Sequence, residues 1–302
     1  MNAGSLIISL FGDAVLPRGG RIWLGSLIGL LAPLDLNERL IRTAVFRLVK
    51  EEWMQSEALG RRADYTLTPA GLRRFEESAR HIYAAATPLW DRRWRFILTV
   101  GDIDTRQRER LRRALFWQGF GALNADCFVH PSTDLNSALD ALLTEGLGDL
   151  HQLVMPFLAA PVGSDLSLSD RDLVARAWNL DELASAYGAF CDSYTPVLQY
   201  LRQHPSSCDD QTAFLLRTLL IHDYRRLLLR DPELPDALLP IHWPGHKARL
   251  LCKEIYRRLL EPSERHIEQH MQLADGSLTK ALPMLQERFQ QEDPLAILRH
   301  RG

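Results

Sequence analysis

The chain of 302 residues lacks the sequence features of exported and membrane-inserted proteins. Its first residues, MNAGSLIISLFGDAV, have no positive segment ahead of a sustained apolar run, and no later apolar run is long enough to span a bilayer. The four cysteines show neither close pairing nor metal-finger spacing, which favours reduced thiols. We therefore expect a cytoplasmic protein.

Motifs for catalysis and cofactor binding are also missing. The sequence contains no Walker loop, no dinucleotide fingerprint and no GxSxG elbow, and HIEQH at 266–270 does not have the residue order of a zinc protease. His242 and His246 are four residues apart, as are His266 and His270, but a metal site needs a third or fourth ligand. We predict no catalytic residue, no cofactor and no metal site.

The net charge of -2 gives no overall attraction toward a polyanion, so any affinity for nucleic acid must come from a local surface. Residues 1–90 contain 11 basic and 9 acidic residues, whereas the remainder contains 25 basic and 29 acidic residues. The basic charge is therefore slightly biased toward the N-terminal end.

Residues 37–50 (NERLIRTAVFRLVK) predict one amphipathic helix with a basic face. A helix that enters the major groove of DNA needs an apolar back and, in front, side chains that reach phosphates and base edges. A solvated surface helix has the same pattern, so the flanks must decide. The predicted apolar face comprises Leu40, Ile41, Ala44, Val45, Leu48 and Val49; the opposite face comprises Arg39, Arg42, Thr43, Phe46, Arg47 and Lys50.

The flanks favour DNA binding. Residues 21–31 predict a helix, and the break at 32–35 leaves Asp35 or Asn37 as the next N-cap. Downstream, residues 53–55 and 64–67 predict two strands joined by a basic tip, and Thr68-Pro69 opens a further helix. We therefore predict a winged helix-turn-helix domain over residues 1–90. Its candidate DNA-binding residues are Arg39, Arg42, Thr43, Arg47, Lys50, Arg61 and Arg62.

Residues 91–165 predict a ferredoxin-like middle domain with the order βαββαβ. The pattern gives strands at 94–100, 122–129 and 150–157, helices at 105–118 and 135–143, and a weak further strand within 119–130.

Two acidic residues after the first of these strands, Asp102 and Asp104, are a candidate magnesium site for phosphodiester cleavage. A polar turn that caps the next helix uses the same residues, and we favour that interpretation. The basic run RQRERLRR at 106–113 predicts a solvated helix face, since residues at every second position spread around a helix; contact with DNA or a second subunit is the alternative.

Residues 166–302 predict a helical C-terminal domain, with helices near 170–180, 181–203, 209–230 and 246–260. Four prolines between 232 and 244 predict a stiff connector that presents an aromatic side chain between basic segments. Such a set could bind an aromatic acyl group on one side and anionic phosphates on the other, but the residues alone favour an aromatic plug that closes helix packing. The candidate effector-binding residues are Tyr224, Arg225, Arg226, Trp243, His246, Lys247 and Arg249.

Four blocks of sequence resemble one family. They are GDAVLPRGGRIWLGSL at 12–27, RTAVFRLVKEEW at 42–53, GRRADYTLT at 60–68 and HDYRRLLLRDPELPDALLPIHWPGHKARLLCKEIYRR at 222–258. In this order they resemble the PaaX-type repressors of phenylacetic acid degradation operons, over about residues 5–258.

The resemblance implies an α+β protein whose middle domain is similar to the Cas2 proteins. It implies a transcriptional repressor that leaves its operator when phenylacetyl-coenzyme A or a related aryl-acyl thioester binds. Because helix-turn-helix repressors usually pair two recognition helices on an inverted repeat, we expect a homodimer. The alternatives are an enzyme that handles coenzyme A thioesters and a nucleic-acid-binding protein without a small-molecule effector.

Overall fold

The computed structural model describes residues 2–73, 75, 89–144, 146–160, 169–204 and 208–281. The chain divides into two compact units. The first unit comprises Met1–Ala85, Gly188–Arg226 and His246–Gly302, and the second comprises Ala86–Tyr187 and Leu227–Gly245. The predicted division into domains 1–90, 91–165 and 166–302 stays a prediction.

Apart from short 3-10 and π segments, the described residues include ten helices with defined bounds, the start of a further helix at 69–73, and seven strands. The helices are α1 (Ala3–Leu10), α2 (Leu24–Leu31), α3 (Glu38–Lys50), α4 (Thr105–Trp117), α5 (Leu135–Thr144), α6 (Gly148–His151), α7 (Asp170–Ala177), α8 (Leu180–Gln203), α9 (Asp210–Leu228) and α10 (Pro244–His270). The strands are β1 (Arg21–Trp23), β2 (Met54–Leu59), β3 (Arg62–Leu67), β4 (Trp94–Thr99), β5 (Gly121–Asn124), β6 (Cys127–His130) and β7 (Val154–Ala159).

Helix α1 forms the centre of the first unit's core. The Asn2 side chain accepts the Ser5 backbone N–H and caps the helix, and six of its eight residues are buried, five of them apolar. A helix that is apolar on all sides is stable only when neighbours cover it. Helix α3 supplies part of that cover with Ile41 and Val45, which belong to the same core cluster as Leu6 and Ile7.

A buried cluster of charges follows α1. Asp13 lies in a short π-helix at residues 11–15, and Arg217 of α9 donates to its carboxylate through Nε at 2.7 Å and to its carbonyl oxygen through Nη2 at 3.1 Å. The Tyr256 hydroxyl donates to the other Asp13 oxygen at 3.0 Å. Glu264 of α10 pairs with both Arg217 and Arg18. Two cations and two anions are thereby neutralised inside one core.

A three-stranded antiparallel sheet in the order β1-β3-β2 completes the described part of the N-terminal segment. The prediction of a helix over 21–31 was wrong for its first three residues, because Arg21 and Trp23 pair in the sheet with Thr66 and Asp64. The predicted strand 64–67 is confirmed as part of β3, and the predicted strand 53–55 is confirmed from Met54, where β2 begins. The predicted helix start is confirmed, because the Thr68 hydroxyl accepts the Gly71 N–H at 2.9 Å and residues 69–73 are helical; most of the later residues of this helix lie outside the described part of the chain.

The second unit contains a four-stranded antiparallel sheet in the order β5-β6-β4-β7, with α4 and α5 in its core cluster. This connectivity confirms the predicted βαββαβ unit. The single strand predicted at 122–129 was wrong, because the chain turns at residues 125–126 and forms β5 and β6. The strand predicted at 150–157 begins only at Val154, since 148–151 is a helical turn.

His130, at the end of β6, bonds to Pro232 at the start of the proline-containing connector and so fixes that connector to this sheet. Its Nδ1 accepts the backbone N–H groups of Ser132 and Thr133 at 3.0 and 2.8 Å, and its ring also bonds the Pro232 backbone. Gly119 lies against both groups with φ of 83°, and a Cβ there would come within 3.0 Å of the His130 ring. Burial lowers the pKa of His130 to about 3.

The described residues after 169 are mainly helical, as predicted, and α10 runs through Pro262 to His270, ten residues beyond the predicted end. Among the described residues, no helix is both long and apolar enough to cross a membrane.

Replacing Arg217 by Met should strongly destabilise the first unit, because it leaves Asp13 and Glu264 buried without their cation. We expect the free energy of unfolding to fall by about 3–5 kcal/mol in urea titrations. Arg202→Met is the matched control, since Arg202 pairs with Glu254 on the surface and its loss should cost less than ~1 kcal/mol. Equal effects of the two substitutions would contradict the central role of the buried cluster.

Acidification should destabilise the second unit through His130. The unfolded chain takes up a proton near the usual pKa of 6.5, whereas folded His130 stays neutral down to about 3. Stability is therefore highest above the unfolded pKa and falls as the pH drops below it, by about 2 kcal/mol between pH ~7.5 and ~5. Urea titrations at both pH values should show a smaller loss for His130→Gln than for the wild type. His222→Gln is the matched substitution in the first unit, where burial lowers the pKa of His222 to about 4, and it should leave the pH dependence of the second unit unchanged. An unchanged pH dependence in His130→Gln would rule out this assignment.

Candidate nucleic-acid interface

A side-chain cap fixes the N-terminus of helix α3. The Asn37 side chain accepts the Leu40 backbone N–H at 2.8 Å, so Asn37 is the N-cap of the two predicted alternatives. Asp35 instead adopts a left-handed conformation with φ of 58° and ends the preceding 3-10 turn. Helices α2 and α3 are thus separated by a short turn, as predicted.

The buried face of α3 agrees with the predicted apolar face except at Leu40. Ile41, Ala44, Val45 and Leu48 are buried, whereas Leu40 is 43% exposed. The prediction for Leu40 was wrong, because Leu40 lies outside the core cluster that contains those four residues, whereas the half-buried Val49 packs against it.

The opposite face of α3 forms one continuous exposed surface. Arg42 pairs with Glu38 at 2.7 Å, and the Thr43 hydroxyl donates to the Arg39 carbonyl oxygen at 2.8 Å. Phe46 is 68% exposed in the middle of this surface, which is unusual for a large apolar side chain on a well-packed helix. We call this set the α3 face; it comprises Arg39, Arg42, Thr43, Phe46, Arg47 and Lys50, all exposed.

The hairpin of β2 and β3 carries the two predicted tip arginines in different environments. Leu59 pairs with Arg62, so the turn contains only Gly60 and Arg61, and Gly60 has φ of 60°. Arg61 is exposed at this turn. The Arg62 guanidinium lies 4.4 Å from the centre of the Trp23 ring, a cation–π contact that holds it against β1.

The segment after α10 supports the same hairpin. The Trp23 backbone N–H donates to the Gln272 carbonyl oxygen at 3.0 Å, and the Ala274 N–H donates to the Asp64 carboxylate at 2.7 Å. Met271 is fully buried in the core cluster that includes α3. The sequence analysis did not predict that the segment after α10 supports the hairpin. The sequence feature that indicates it is an apolar pair, Met271 and Leu273, directly after an otherwise charged helix end.

The predicted effector residues have mixed surroundings. Tyr224, Arg225 and Trp243 are buried, Arg226 and Lys247 are exposed, and His246 and Arg249 are half-buried. The Tyr224 ring packs with Phe190 at 5.6 Å, and Trp243 packs edge-on against Tyr187 at 5.9 Å, so the two aromatic rings belong to different clusters. Burial also lowers the pKa of Arg225. The effector assignment of these residues stays a prediction.

The acidic residues around 102–104 and the basic run at 106–113 agree with the interpretations favoured from the sequence, a turn that caps the next helix and a solvated helix face. Asp104 accepts the Gln107 N–H at 2.7 Å while the Gln107 side chain accepts the Asp104 N–H, a capping box that starts α4. Most arginines of the basic run face solvent and pair with carboxylates; Arg108 pairs with Asp126, Arg110 with Asp149, and Arg112 and Arg113 with Glu109.

A basic helix held on an apolar back, preceded by a short turn and a helix and followed by a hairpin with an arginine at its tip, is typical of DNA-binding regulators. Comparison with known proteins gives the same class. Models of the PaaX family match three segments: the PaaX-like protein model matches residues 2–71, the model of the PaaX central Cas2-like domain matches residues 87–163, and the model of the PaaX-like C-terminal domain matches residues 178–269.

The chain belongs to the PaaX family. It is similar to the transcriptional repressor PaaX of Escherichia coli strain K12, with 38% identity over 288 residues that cover 94% of this chain and 89% of the relative. The family resemblance seen in the sequence is thereby confirmed. A solved structure, the uncharacterized protein Rv0674 from Mycobacterium tuberculosis, shares 23% identity and a TM-score of 0.49 over 79% of this chain and 88% of its own.

Replacing Asp64 by Ala should release the segment after α10 from the hairpin. The substitution leaves the buried Ala274 N–H without its acceptor, which costs about 1–3 kcal/mol. Hydrogen exchange in residues 271–281 should therefore accelerate. Glu57→Ala is the matched control, because Glu57 also pairs with Arg21 but is exposed and does not contact the segment. If both variants exchange like the wild type, Asp64 does not hold the segment.

Proposed function

We propose that this protein is a DNA-binding repressor of phenylacetic acid catabolic genes, and that an aryl-acyl-coenzyme A thioester such as phenylacetyl-coenzyme A releases it from its operator. The family and the curated relative, whose name is transcriptional repressor PaaX, support the regulatory role. The observation that carries the DNA-binding part is the α3 face, an exposed basic surface on a rigidly buried helix. The protein acts without catalysis, in the cytoplasm, where operator DNA lies.

Helices α2 and α3 with the β2–β3 hairpin act as a winged helix-turn-helix. The α3 face enters the major groove, where Arg39, Arg42 and Arg47 reach phosphates or guanine edges and Thr43 reaches a base or phosphate. Lys50, at the end of the helix, contacts the backbone. Arg61 is placed at the hairpin turn to reach the backbone or the minor groove, and Arg62, held on Trp23, lies beside it.

Two copies of the chain bind one operator. A single α3 reads only a few base pairs, and a symmetric pair of such helices about 34 Å apart reads two half-sites of an inverted repeat. A homodimer therefore supplies the specificity that one recognition helix does not.

Release requires that the thioester bind the free repressor better than the operator-bound repressor. A coupling free energy of about 1–3 kcal/mol lowers operator affinity ~5- to 150-fold, which is enough to relieve repression. A ligand with equal affinity for both forms would shift nothing.

Fluorescence anisotropy with the chain's own upstream DNA tests this proposal. We expect specific binding that phenylacetyl-coenzyme A weakens and free coenzyme A does not. Arg47→Ala should lower operator affinity and reduce the slope of log affinity against log salt by about one unit if Arg47 contacts a phosphate, or cost ~1–3 kcal/mol at one base position if it contacts guanine.

Arg202→Ala is the control for that substitution, because Arg202 lies on α8 and pairs with Glu254. Specific binding that ignores the thioester would eliminate the effector and keep the DNA-binding role. Turnover of the thioester would favour an enzyme, and absence of specific binding would refute the proposal.

A further inference from the structure

The second unit contains a cavity of about 360 Å³ that none of the predicted site residues lines. One wall is the sheet and α4, through Phe120, Phe128 and Phe116. The other wall is the turn between α7 and α8 together with the connector that follows α9, through Trp178 and Pro232. The volume lies at the lower end of the ~300–1,000 Å³ range of small-molecule sites.

The interior of this cavity is aromatic and fixed. Phe120, Phe128 and Trp178 are at most 8% exposed. The Trp178 Nε1 donates to the Gly119 carbonyl oxygen at 3.0 Å, so its one polar group is satisfied and the ring presents apolar surface. The Phe120 ring packs against His130 at 5.3 Å, and His130 is itself held by three backbone groups. A planar apolar group entering the cavity meets preformed walls and does not have to order them.

The mouth of the cavity carries two arginines, and the carboxylate of Glu182 also lines it. Arg112 and Arg230 line it, and their side chains are 56% and 48% exposed. Each is paired with a glutamate on the surface, Arg112 with Glu109 at 3.0 Å and Arg230 with Glu182. Exposed ion pairs of this kind contribute little, so a phosphate can replace the glutamate at small cost.

We propose that this cavity binds the aryl-acyl end of an anionic thioester, with the phosphates of its carrier held outside by Arg112 and Arg230. The proposal rests on the proposed function and places effector recognition in the second unit, instead of at the predicted set around Tyr224 and Lys247. The cavity is too small for a whole coenzyme A thioester, whereas an aromatic ring with a short acyl chain fits. Phe116, 57% exposed at the edge, covers the entering ring.

The position of the cavity also offers a route to regulation. Leu180, which lines the cavity, is the first residue of α8, and the later turns of α8 belong to the first unit. A ligand that changes the position of this first turn acts on a helix that both units share.

Neighbouring residues on α4 provide matched variants for calorimetric titration of the full chain. Arg112 and Arg113 both pair with Glu109, and Phe116 and Trp117 are both exposed, but only Arg112 and Phe116 line the cavity. Because all four side chains lie on the surface, alanine substitutions should leave the fold intact; thermal unfolding of each variant checks this.

We expect Arg112→Ala to weaken binding of phenylacetyl-coenzyme A and of free coenzyme A alike, by ~10-fold, because it removes a phosphate contact. Phe116→Ala should weaken only the thioester, by ~3- to 10-fold, because it removes a ring contact. Arg113→Ala and Trp117→Ala should bind both ligands like the wild type.

If the cavity variants bind the thioester and leave the operator like the wild type, the cavity proposal is wrong while the proposed function stands. Loss of response in Arg226→Ala with Lys247→Ala, together with normal cavity variants, would place the effector at the predicted C-terminal set. A wild-type protein that binds its operator but not the thioester would remove the ligand on which both proposals depend.

Discussion

The pairing of Arg217 with Asp13 is the interaction on which the first unit depends. Two charges with almost no exposure would be very unfavourable singly, so each requires the other, and Tyr256 and Glu264 satisfy their remaining hydrogen-bonding capacity. The partners come from a segment just after α1 and from helices more than 200 residues later. This cluster therefore fixes the N-terminal core to α9 and α10. Because the charged partners must meet, the three segments can pack in only one alignment.

That connection supports helix α3, the helix proposed to read DNA. Helix α3 rests on α1, the cluster fixes the residues that follow α1, and the segment after α10 holds the hairpin through Asp64. The C-terminal helices are thus part of the support of the α3 face. A change in those helices would alter the α3 face without touching any of its own residues, which is what the proposed release by a thioester requires.

Much of the local structure was predictable because it follows from short-range patterns. The apolar spacing of Ile41, Ala44, Val45 and Leu48 predicted α3 and its buried face. Asn37 was one of two predicted caps for its start, and a tip containing Gly60 predicted the hairpin, where Gly60 adopts a positive φ. The order of elements in the middle domain was predictable for the same reason. Leu40 and the strand at 21–23 were not, because exposure and sheet pairing depend on which distant element covers them.

The sequence by itself therefore determined the family, the basic face of α3 and the order of elements in the middle domain, since each depends on residues that are neighbours in the sequence. Only the tertiary structure decided that Asp13 pairs with Arg217 and that the segment after α10 holds the β2–β3 hairpin. It also decided that Phe120, Trp178 and Arg230 line one cavity. These residues lie dozens to hundreds of positions apart, and no local periodicity records a contact between segments that only the folded core brings together.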